Sequence, residues 1–357
     1  MLEEIYNMVF GKNDYPYNDF IALLKERNIV LYGAGGIGYC TSNILRNKGC
    51  NVCYFIDDDQ AKQGTTLNGI QVLPLKNIHM DSEFVILICV PNHLDVYHKL
   101  ISLGYKDVWY FPVMMMEKGF YDLSLIQKNW NKISQAYHLL TEDFSKQVFS
   151  TILKHRITMD FSYFTDIISE KQYFPSDIFM LNGKECFVDG GAYHGETIVD
   201  FINITHNNFK YIYGFEPDKK NFMILAESIK HMGKRLQLFN AGLYSESGEI
   251  GFNSQGNSSS SISETGKDRI LLVKLDEVVN ENKPTYIKLD IEGAEEKAIY
   301  GMRNTLTTYL PKLAISIYHK ATDLWELPLV ICNMVSSYKI YIRHYTNDLN
   351  ETVCYAI

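Results

Sequence analysis

The chain has 357 residues, of which 46% are hydrophobic and 21% charged, and this composition argues against wholesale disorder. The length exceeds that of a usual single domain and predicts two domains. The formal net charge of −8 argues against nucleic acid as a main partner, because phosphate binding requires a positive surface.

Several features of the sequence bear on its compartment. No stretch reaches the roughly 20 apolar residues that span a bilayer, and the acidic start, residues 1–4, lacks the features of a secretory signal. The seven cysteines, an odd number, lie partly within apolar runs, which predicts buried free thiols in a reducing compartment. We therefore expect a cytoplasmic protein without a membrane span. A homo-oligomer is compatible with the sequence, which does not fix the oligomeric state.

The first nucleotide-binding pattern begins at residue 28. An apolar run, 28–32, leads into a glycine-rich turn, a helical pattern and a second strand, 52–56, which Asp57 follows. An acid about 20 residues after the glycines is placed to accept a hydrogen bond from a ribose hydroxyl. This order predicts a Rossmann-like domain with a nucleotide site at Gly33, Gly35, Gly36, Gly38 and Asp57. Alternatively, the glycines serve the tight turn alone.

Residues 25–112 also resemble the sugar-nucleotide-binding N-terminal domains of PglD-like acetyltransferases, on segments 55–59, 62–64 and 67–74. The resemblance implies a module that holds a nucleotide-linked sugar or serves as an accessory domain. An alternative function is that of an NAD(P)-dependent oxidoreductase acting on a nucleotide sugar through this domain. No separate dehydrogenase constellation follows it in the sequence.

A helical connector is predicted between two α/β units. Apolar residues recur there at the spacing of one helix face: Phe144, Val148, Phe149, Ile152 and Leu153. We expect a Rossmann-like domain at 1–118, the connector at 119–180 and a catalytic domain at 181–357. The predicted fold class is α/β, with two Rossmann-like doubly wound sheets joined by the helical connector.

A second nucleotide-type pattern begins at Glu185. The strand 186–188 runs into Asp189, a glycine-rich turn and a helix, and a second strand, 211–215, ends at Glu216. S-adenosylmethionine has no pyrophosphate but carries an ammonium group and a ribose diol. Asp189 suits the ammonium and Glu216 suits the diol, so the pair favours S-adenosylmethionine over NAD. Alternatively, both acids only cap turns.

Later strand ends add candidates to the same crevice. Segment 240–243 leaves the third strand and is a candidate wall for the adenine. The serine-rich loop 254–261 is expected either to cover the substrate or to be a plain solvated loop. The predicted cofactor-binding residues are Asp189, Gly190, Gly191, Ala192, Gly195, Thr197, Glu216, Pro217, Asn240, Ala241, Gly242 and Asp290.

The most specific motif is Tyr286-Ile287-Lys288-Leu289-Asp290-Ile291-Glu292-Gly293-Ala294-Glu295, whose first four residues, 286–289, are predicted to form a strand. A strand delivers Asp290 to the crevice, and a glycine permits the turn into a helix. His319 ends a later strand, and its ordinary pKa of about 6.5 suits a general base on a hydroxyl. We predict Asp290, Glu292 and His319 as catalytic residues, with His319 or Asp290 as the base. Alternatively, the two acids only cap the helix and the histidine is structural, or the three side chains together hold a divalent cation. Of these, we favour a site without a metal ion.

From about residue 172 to 355 the chain resembles the FkbM family of methyltransferases. The resemblance rests on segments 187–197, 214–218, 288–295 and 316–320 and on His344-Tyr345, with Gly190 as a mild variation. It implies an S-adenosylmethionine-dependent methyltransferase that O-methylates a sugar of a surface glycan or a natural-product hydroxyl. The expected partner is a small-molecule or glycan acceptor, with a nucleotide-linked sugar as one form. A further alternative is a non-catalytic binding protein that keeps both folds for assembly.

Overall fold

A computed structural model of the protein describes residues 1–11, 17–78, 84–253, 261–262, 268–279 and 281–357. These residues form two compact units. The N-terminal unit comprises Glu4–Lys128 and Lys154–Asp160, and the C-terminal unit comprises Met1–Glu3, Asn129–Leu153 and Phe161–Ile357. The residues of the predicted connector, 119–180, are divided between the two units.

The N-terminal unit contains a sheet of six strands in the order β3-β4-β2-β1-β5-β6. All neighbours are parallel except β3 and β4, which are antiparallel. The strands are β1 (Asn28–Tyr32), β2 (Asn51–Ile56), β3 (Thr66–Leu67), β4 (Ile70–Leu73), β5 (Phe84–Ile88) and β6 (Val108–Tyr110). The helices are α1 (Leu2–Phe10), α2 (Tyr17–Lys25), α3 (Gly36–Asn47), α4 (His93–Ser102), α5 (Val113–Glu117) and α6 (Leu123–Lys128), with a 3₁₀ helix at Leu75–Asn77. The runs of β1 and β5 are almost wholly apolar because the parallel sheet buries both faces.

Two helices follow in the connecting region. They are α7 (Trp130–Leu139) and α8 (Asp143–Thr158), followed by a 3₁₀ helix at Phe161–Asp166. Of the apolar stripe predicted on α8, Val148, Phe149, Ile152 and Leu153 are buried. The stripe is therefore part of the protein core.

The C-terminal unit contains a seven-stranded sheet and a smaller four-stranded one. The strands are β7 (Cys186–Gly190), β8 (Tyr211–Phe215), β9 (Leu236–Phe239), β10 (Gly242–Leu243), β11 (Gly248–Asn253), β12 (Ser261–Ile262), β13 (Asp268–Val273), β14 (Tyr286–Leu289), β15 (Lys312–Ser316), β16 (Ile340–His344) and β17 (Thr352–Ala356). The helices are α9 (Glu196–Ile204), α10 (Lys219–Ser228), α11 (Leu275–Val278), α12 (Glu295–Gly301), α13 (Arg303–Tyr309) and α14 (Asp323–Met334), with a 3₁₀ helix at Lys230–Arg235.

The strand order of the large sheet is β16-β17-β15-β14-β7-β8-β9. The five strands from β15 to β9 are parallel, and β17 is antiparallel to both of its neighbours. The chain moves outward from β7 through β8 to β9 and returns to the other side of β7 at β14. Ligands of doubly wound sheets bind at the carboxyl ends of the strands where the order reverses in this way. The fold thus directs attention to the ends of β7 and β14.

An aromatic cluster fixes these two strands. The ring of Phe187 on β7 stacks on Phe201 of α9 at 4.6 Å and on Tyr286 of β14 at 5.2 Å between centroids. All three side chains are fully buried. Because the interior is close-packed, these contacts restrain the position of β14 relative to β7. The α/β fold class predicted from the sequence is confirmed. Among the described residues, no helix has both the length and the apolar character needed to traverse a lipid bilayer.

Candidate active site

The glycine turn after β7 lies directly against the end of β14. Gly191 has φ of +77°, and a Cβ at this position would lie 1.9 Å from the main-chain oxygen of Asp290. The main-chain N–H of Asp290 donates to the oxygen of Gly190 at 3.1 Å. Only glycine combines this backbone conformation with so close an approach.

Asp189 and Lys288 form a buried ion pair beneath this turn. They are register partners on β7 and β14, and Lys288 Nζ lies 3.0 Å from Asp189 Oδ1. Lys288 Nζ also donates to the main-chain oxygens of Gly191 at 2.7 Å and Gly190 at 3.3 Å. Burial raises the pKa of Asp189 although Lys288 opposes the shift, and Asp189 and Asp290 raise the pKa of Lys288 against the effect of burial. The Lys288 ammonium therefore already neutralises the Asp189 carboxylate. The contact between Asp189 and the ammonium group of S-adenosylmethionine stays a prediction.

Glu216 links the ends of three strands. Its carboxylate accepts hydrogen bonds from the N–H of Tyr193 at 3.0 Å and of Asp218 at 2.9 Å. Asn240 Nδ2, after β9, donates to the main-chain oxygen of Glu216 at 2.9 Å. Burial raises the pKa of Glu216 to about 7, while the two N–H donors act in the opposite direction. The structure thus brings the predicted ribose-binding acid next to the glycine turn.

The other predicted cofactor residues surround the same point. The N–H of Ala192 donates to the main-chain oxygen of Phe215 at 2.9 Å, and Gly195 precedes α9 with φ of +100°. Thr197 lies in the first turn of α9 and is half-buried. Ala241 is buried, and a Cβ at Gly242 would lie 3.7 Å from the Cβ of Pro217. The ends of β7, β8 and β9 therefore line one side of the candidate crevice.

Asp290 directly follows β14, and its carboxylate contacts side chains from other segments of the chain. Its carboxylate accepts from the hydroxyl of Tyr173 at 3.0 Å and from the hydroxyl of Tyr318 at 3.1 Å. Burial opposes ionisation, but Lys288, His319 and the Tyr173 hydroxyl outweigh it, so the pKa of Asp290 lies below its usual value. Asp290 is therefore an anion at neutral pH.

His319 lies among carboxylates from the same motif. Its Nδ1 is 2.8 Å from Glu295 Oε1, while its Nε2 is 3.3 Å from Asp290 Oδ1 and 3.9 Å from Glu292 Oε1. Burial disfavours the imidazolium, but Glu295, Asp290 and Glu292 outweigh burial and raise the pKa of His319 to about 10. The ring therefore carries a proton at neutral pH and has no free nitrogen lone pair. This charge state works against the predicted role of His319 as a general base.

The three predicted catalytic residues are thus brought together, with a strained backbone between two of them. Glu292 has φ of +54° and Gly293 has φ of +92°. A left-handed conformation at a non-glycine residue costs on the order of 1–3 kcal/mol and is common at functional sites. The turn positions the Glu292 carboxylate beside His319.

Sequence reasoning missed four residues of this site. Lys288 offered a signal, since a lysine inside a buried strand requires a charged partner. Glu295 and Tyr318 lie within the quoted motifs but were not among the predicted site residues. Tyr173 offered no signal, because it is 117 residues from Asp290 in the chain. The serine-rich loop 254–261, expected either to cover the substrate or to be a plain solvated loop, lies outside the described residues except for Ser261.

The predicted nucleotide site of the N-terminal unit also has a defined geometry. Asp57 Oδ2 accepts from the N–H of Ala34 at 2.8 Å and from Lys62 Nζ at 3.0 Å. Gly33 has φ of +115°, and a Cβ at Gly38 would lie 2.0 Å from the Gly33 oxygen, so the fold itself requires both glycines. A Cβ at Gly35 or Gly36 would meet no atom of the described residues within 4 Å.

Comparison with known proteins finds a family match in the C-terminal region. Residues 189–343 match the family described as the methyltransferase FkbM domain. The crystal structure of methyltransferase FkbM from Methylobacillus flagellatus KT aligns over 99% of this chain and 98% of that one, with a TM-score of 0.83 and 22% sequence identity. This likeness shows a shared fold. The predicted presence of an FkbM methyltransferase domain in the C-terminal region is confirmed.

Two curated relatives fit the Rossmann-like character of the N-terminal unit. They are redox-sensing transcriptional repressors Rex from Bacillus velezensis and Desulfitobacterium hafniense, 27% and 26% identical over 121 and 124 residues. Each match involves 30% of this chain and only 56% and 59% of the two repressors. The similarity thus covers little more than half the length of those relatives.

Proposed function

We propose that the C-terminal unit transfers the methyl group of S-adenosylmethionine to a hydroxyl group of a sugar or glycan precursor. The observation that carries the proposal is the convergence of the glycine turn, Glu216 and Asp290 at neighbouring strand ends, where the strand order reverses. The FkbM domain supports methyl transfer. The hydroxyl acceptor follows from the family resemblance of the sequence motifs.

The donor side of the crevice fits a ligand with a diol. Each oxygen of the Glu216 carboxylate accepts one N–H, and a carboxylate has about four lone-pair sites in all. Glu216 therefore keeps capacity for the ribose hydroxyls. Gly191, Gly195 and Thr197 would shape the methionine side, and segment 240–242 with Pro217 the adenine side.

The chemistry requires orientation and the removal of one proton. The donor supplies an activated methyl group: the acceptor oxygen forms the new C–O bond as the C–S bond breaks, and the sulfur keeps that electron pair. Asp290 is the anionic group placed to take the hydroxyl proton, because His319 is already protonated. Holding the acceptor oxygen in line with the methyl group contributes much of the rate.

Ligand binding and product analysis test this function. S-adenosylhomocysteine should raise the melting temperature of the full chain, because a ligand that binds the folded state stabilises it. Glu216→Ala should abolish the shift, whereas Asp200→Ala, an exposed carboxylate on α9, should keep it. Mass spectrometry of host glycans should show a loss of methyl groups without the gene. The absence of any shift at millimolar S-adenosylhomocysteine would refute donor binding and favour a non-catalytic binding protein.

A second proposed function is nucleotide binding by the N-terminal unit, for a nucleotide-linked sugar that serves as the acceptor. The observation that favours it is the open space beside Gly35 and Gly36, which packing leaves unexplained. Glycines without side chains let a phosphate approach the backbone at the start of α3. Calorimetry of the full chain with nucleotide sugars tests this function, and absence of heat at millimolar ligand contradicts it. A change in the fluorescence of reduced nicotinamide would instead support the oxidoreductase alternative.

A further inference from the structure

We propose that the cluster at the ends of β14 and β15 binds a divalent cation between His319 Nε2 and the carboxylates of Asp290 and Glu292. The motif by itself favoured a site without metal. The arrangement of these side chains points instead to a metal site, and this inference about binding does not depend on the proposed methyl transfer.

The spacing of the polar atoms equals that of metal ligands for one pair and is somewhat wider for the others. Nitrogen and oxygen ligands lie about 2.0–2.2 Å from a metal such as zinc, so two ligand atoms of one ion are roughly 3–3.5 Å apart. His319 Nε2 lies 3.3 Å from Asp290 Oδ1 and 3.9 Å from Glu292 Oε1. A further carboxylate, Glu295, is also close, because one polar atom from each of Asp290, Glu295 and His319 lies within 4.8 Å of the other two.

Glu295 takes the position of a supporting carboxylate. Its Oε1 lies 2.8 Å from His319 Nδ1, on the ring edge away from Asp290, and accepts the N–H of Ile291 at 3.0 Å. A metal-bound histidine commonly presents its second nitrogen to such a carboxylate, which fixes the tautomer and the ring orientation. Glu295 therefore lies at Nδ1, where a supporting carboxylate would lie, while Nε2 is the ring nitrogen near the two proposed carboxylate ligands.

An independent observation is the unsatisfied histidine ring. The His319 side chain is only 4% exposed. Within the described part of the chain, neither ring nitrogen makes a hydrogen bond of adequate geometry, although carboxylate oxygens lie nearby. A buried polar atom without a partner is costly and calls for an explanation. A cation at Nε2 would take the position of a ring proton and satisfy this nitrogen.

The charge of the cluster also fits a cation. The carboxylates of Asp290, Glu292 and Glu295 face a single imidazole. Lys288, a nearby cation, lies 3.0 Å from the buried Asp189. Excess negative charge in a partly buried cluster is costly, and a divalent cation offsets it.

A cation here would also deepen the proposed function, and this step rests on that function. An acceptor hydroxyl that coordinates the ion loses its proton more easily, because the metal stabilises the alkoxide. Asp290 and Glu292 would hold the ion beside the reacting oxygen. The ion would then supply the activation, and His319 would serve as one of its ligands through Nε2.

Metal titration of the full chain, purified in the presence of a chelator and then desalted, tests the proposal. Mn²⁺ binding is followed by the loss of the free-ion electron paramagnetic resonance signal, and Mg²⁺ binding by calorimetry. We expect one ion per chain. His319→Gln and Asp290→Asn should each weaken binding at least tenfold, and Glu296→Gln, a neighbouring carboxylate on α12 outside the cluster, should bind like the natural chain.

Two results would overturn the proposal: no binding at millimolar Mn²⁺, or unchanged binding in both His319→Gln and Asp290→Asn. Circular dichroism checks that each variant folds, and Glu292→Gln, whose side chain is 32% exposed, replaces any variant that does not. Unchanged binding in folded Glu292→Gln would then count against the site. S-adenosylhomocysteine binding is measured in the same samples to separate the metal site from the proposed methyl transfer. If the chain binds the metal ion but not S-adenosylhomocysteine, only the proposed methyl transfer is contradicted.

Discussion

The buried ion pair between Lys288 and Asp189 allows the strongest test of the site architecture. Replacing Lys288 with methionine keeps the side-chain volume but leaves the Asp189 carboxylate, with no exposed surface, without its cation. Breaking a buried pair in this way costs about 3–5 kcal/mol, because the remaining charge is uncompensated. The variant also loses the donors to the main-chain oxygens of Gly190 and Gly191.

The double variant separates the ion pair from the loss of a side chain. In Asp189→Asn with Lys288→Met, both charges are gone and the shapes are nearly kept, so most of the cost should disappear. A domain of 150–250 residues shifts its melting temperature by roughly 2–4 °C per kcal/mol. We therefore expect Lys288→Met to lower the C-terminal transition by about 6–20 °C and the double variant to recover most of that loss.

Differential scanning calorimetry suits this measurement, because a chain of two units need not unfold in one step. Lys297→Met, an exposed lysine on α12, is the matched control and should leave the transition unchanged. The reasoning is refuted if Lys288→Met behaves like Lys297→Met. It is also refuted if the double variant is as unstable as the sum of the single ones, since the two residues would then not be coupled.

Three further predictions concern the turn, the buried acid and the thiols. Gly191→Ala places a Cβ 1.9 Å from a main-chain oxygen and should abolish S-adenosylhomocysteine binding in a calorimetric titration. Gly248→Ala, in open space, should bind within twofold of the natural chain. Equal binding by both variants would contradict the proposed role of the Gly191 turn. Burial raises the pKa of Glu216 from 4.5 to about 7, so the folded chain binds more protons than the unfolded chain in this range and its stability falls as the pH rises. Glu216→Gln should remove this fall in the free energy of unfolding, about 3 kcal/mol at most between pH 5 and 8. Unfolding curves recorded over that range measure the fall, and an unchanged pH profile in the variant would contradict the raised pKa of Glu216. Burial raises the pKa of the Cys89 thiol to about 12, whereas Cys40 is exposed. Iodoacetamide should therefore modify Cys40 and leave Cys89 intact until the chain is denatured, as measured by peptide mass spectrometry. Comparable labelling of both thiols in the folded chain would contradict the fold.

Several local elements of both units followed from the sequence. The predicted strands at 28–32, 211–215 and 286–289 match β1, β8 and β14 residue for residue. Their runs are apolar because parallel strands are buried on both faces, and glycines mark turns that other residues cannot adopt. Since parallel strands end at one edge of a sheet, the grouping of Asp290, Glu292 and His319 was also predictable from strand ends alone.

The charge states of the site were decided only by tertiary structure. The register between β7 and β14 places Lys288 opposite Asp189. Because both side chains are buried, the charge of each is stabilised by the charge of the other. Tyr173 reaches Asp290 from a segment 117 residues away in the chain, and no local pattern encodes such a contact. His319 has an ordinary pKa in isolation, but three carboxylates around a buried ring raise it to about 10. Residue types and spacing determine which groups reach the crevice, whereas their protonation depends on distances and burial that exist only in the folded chain.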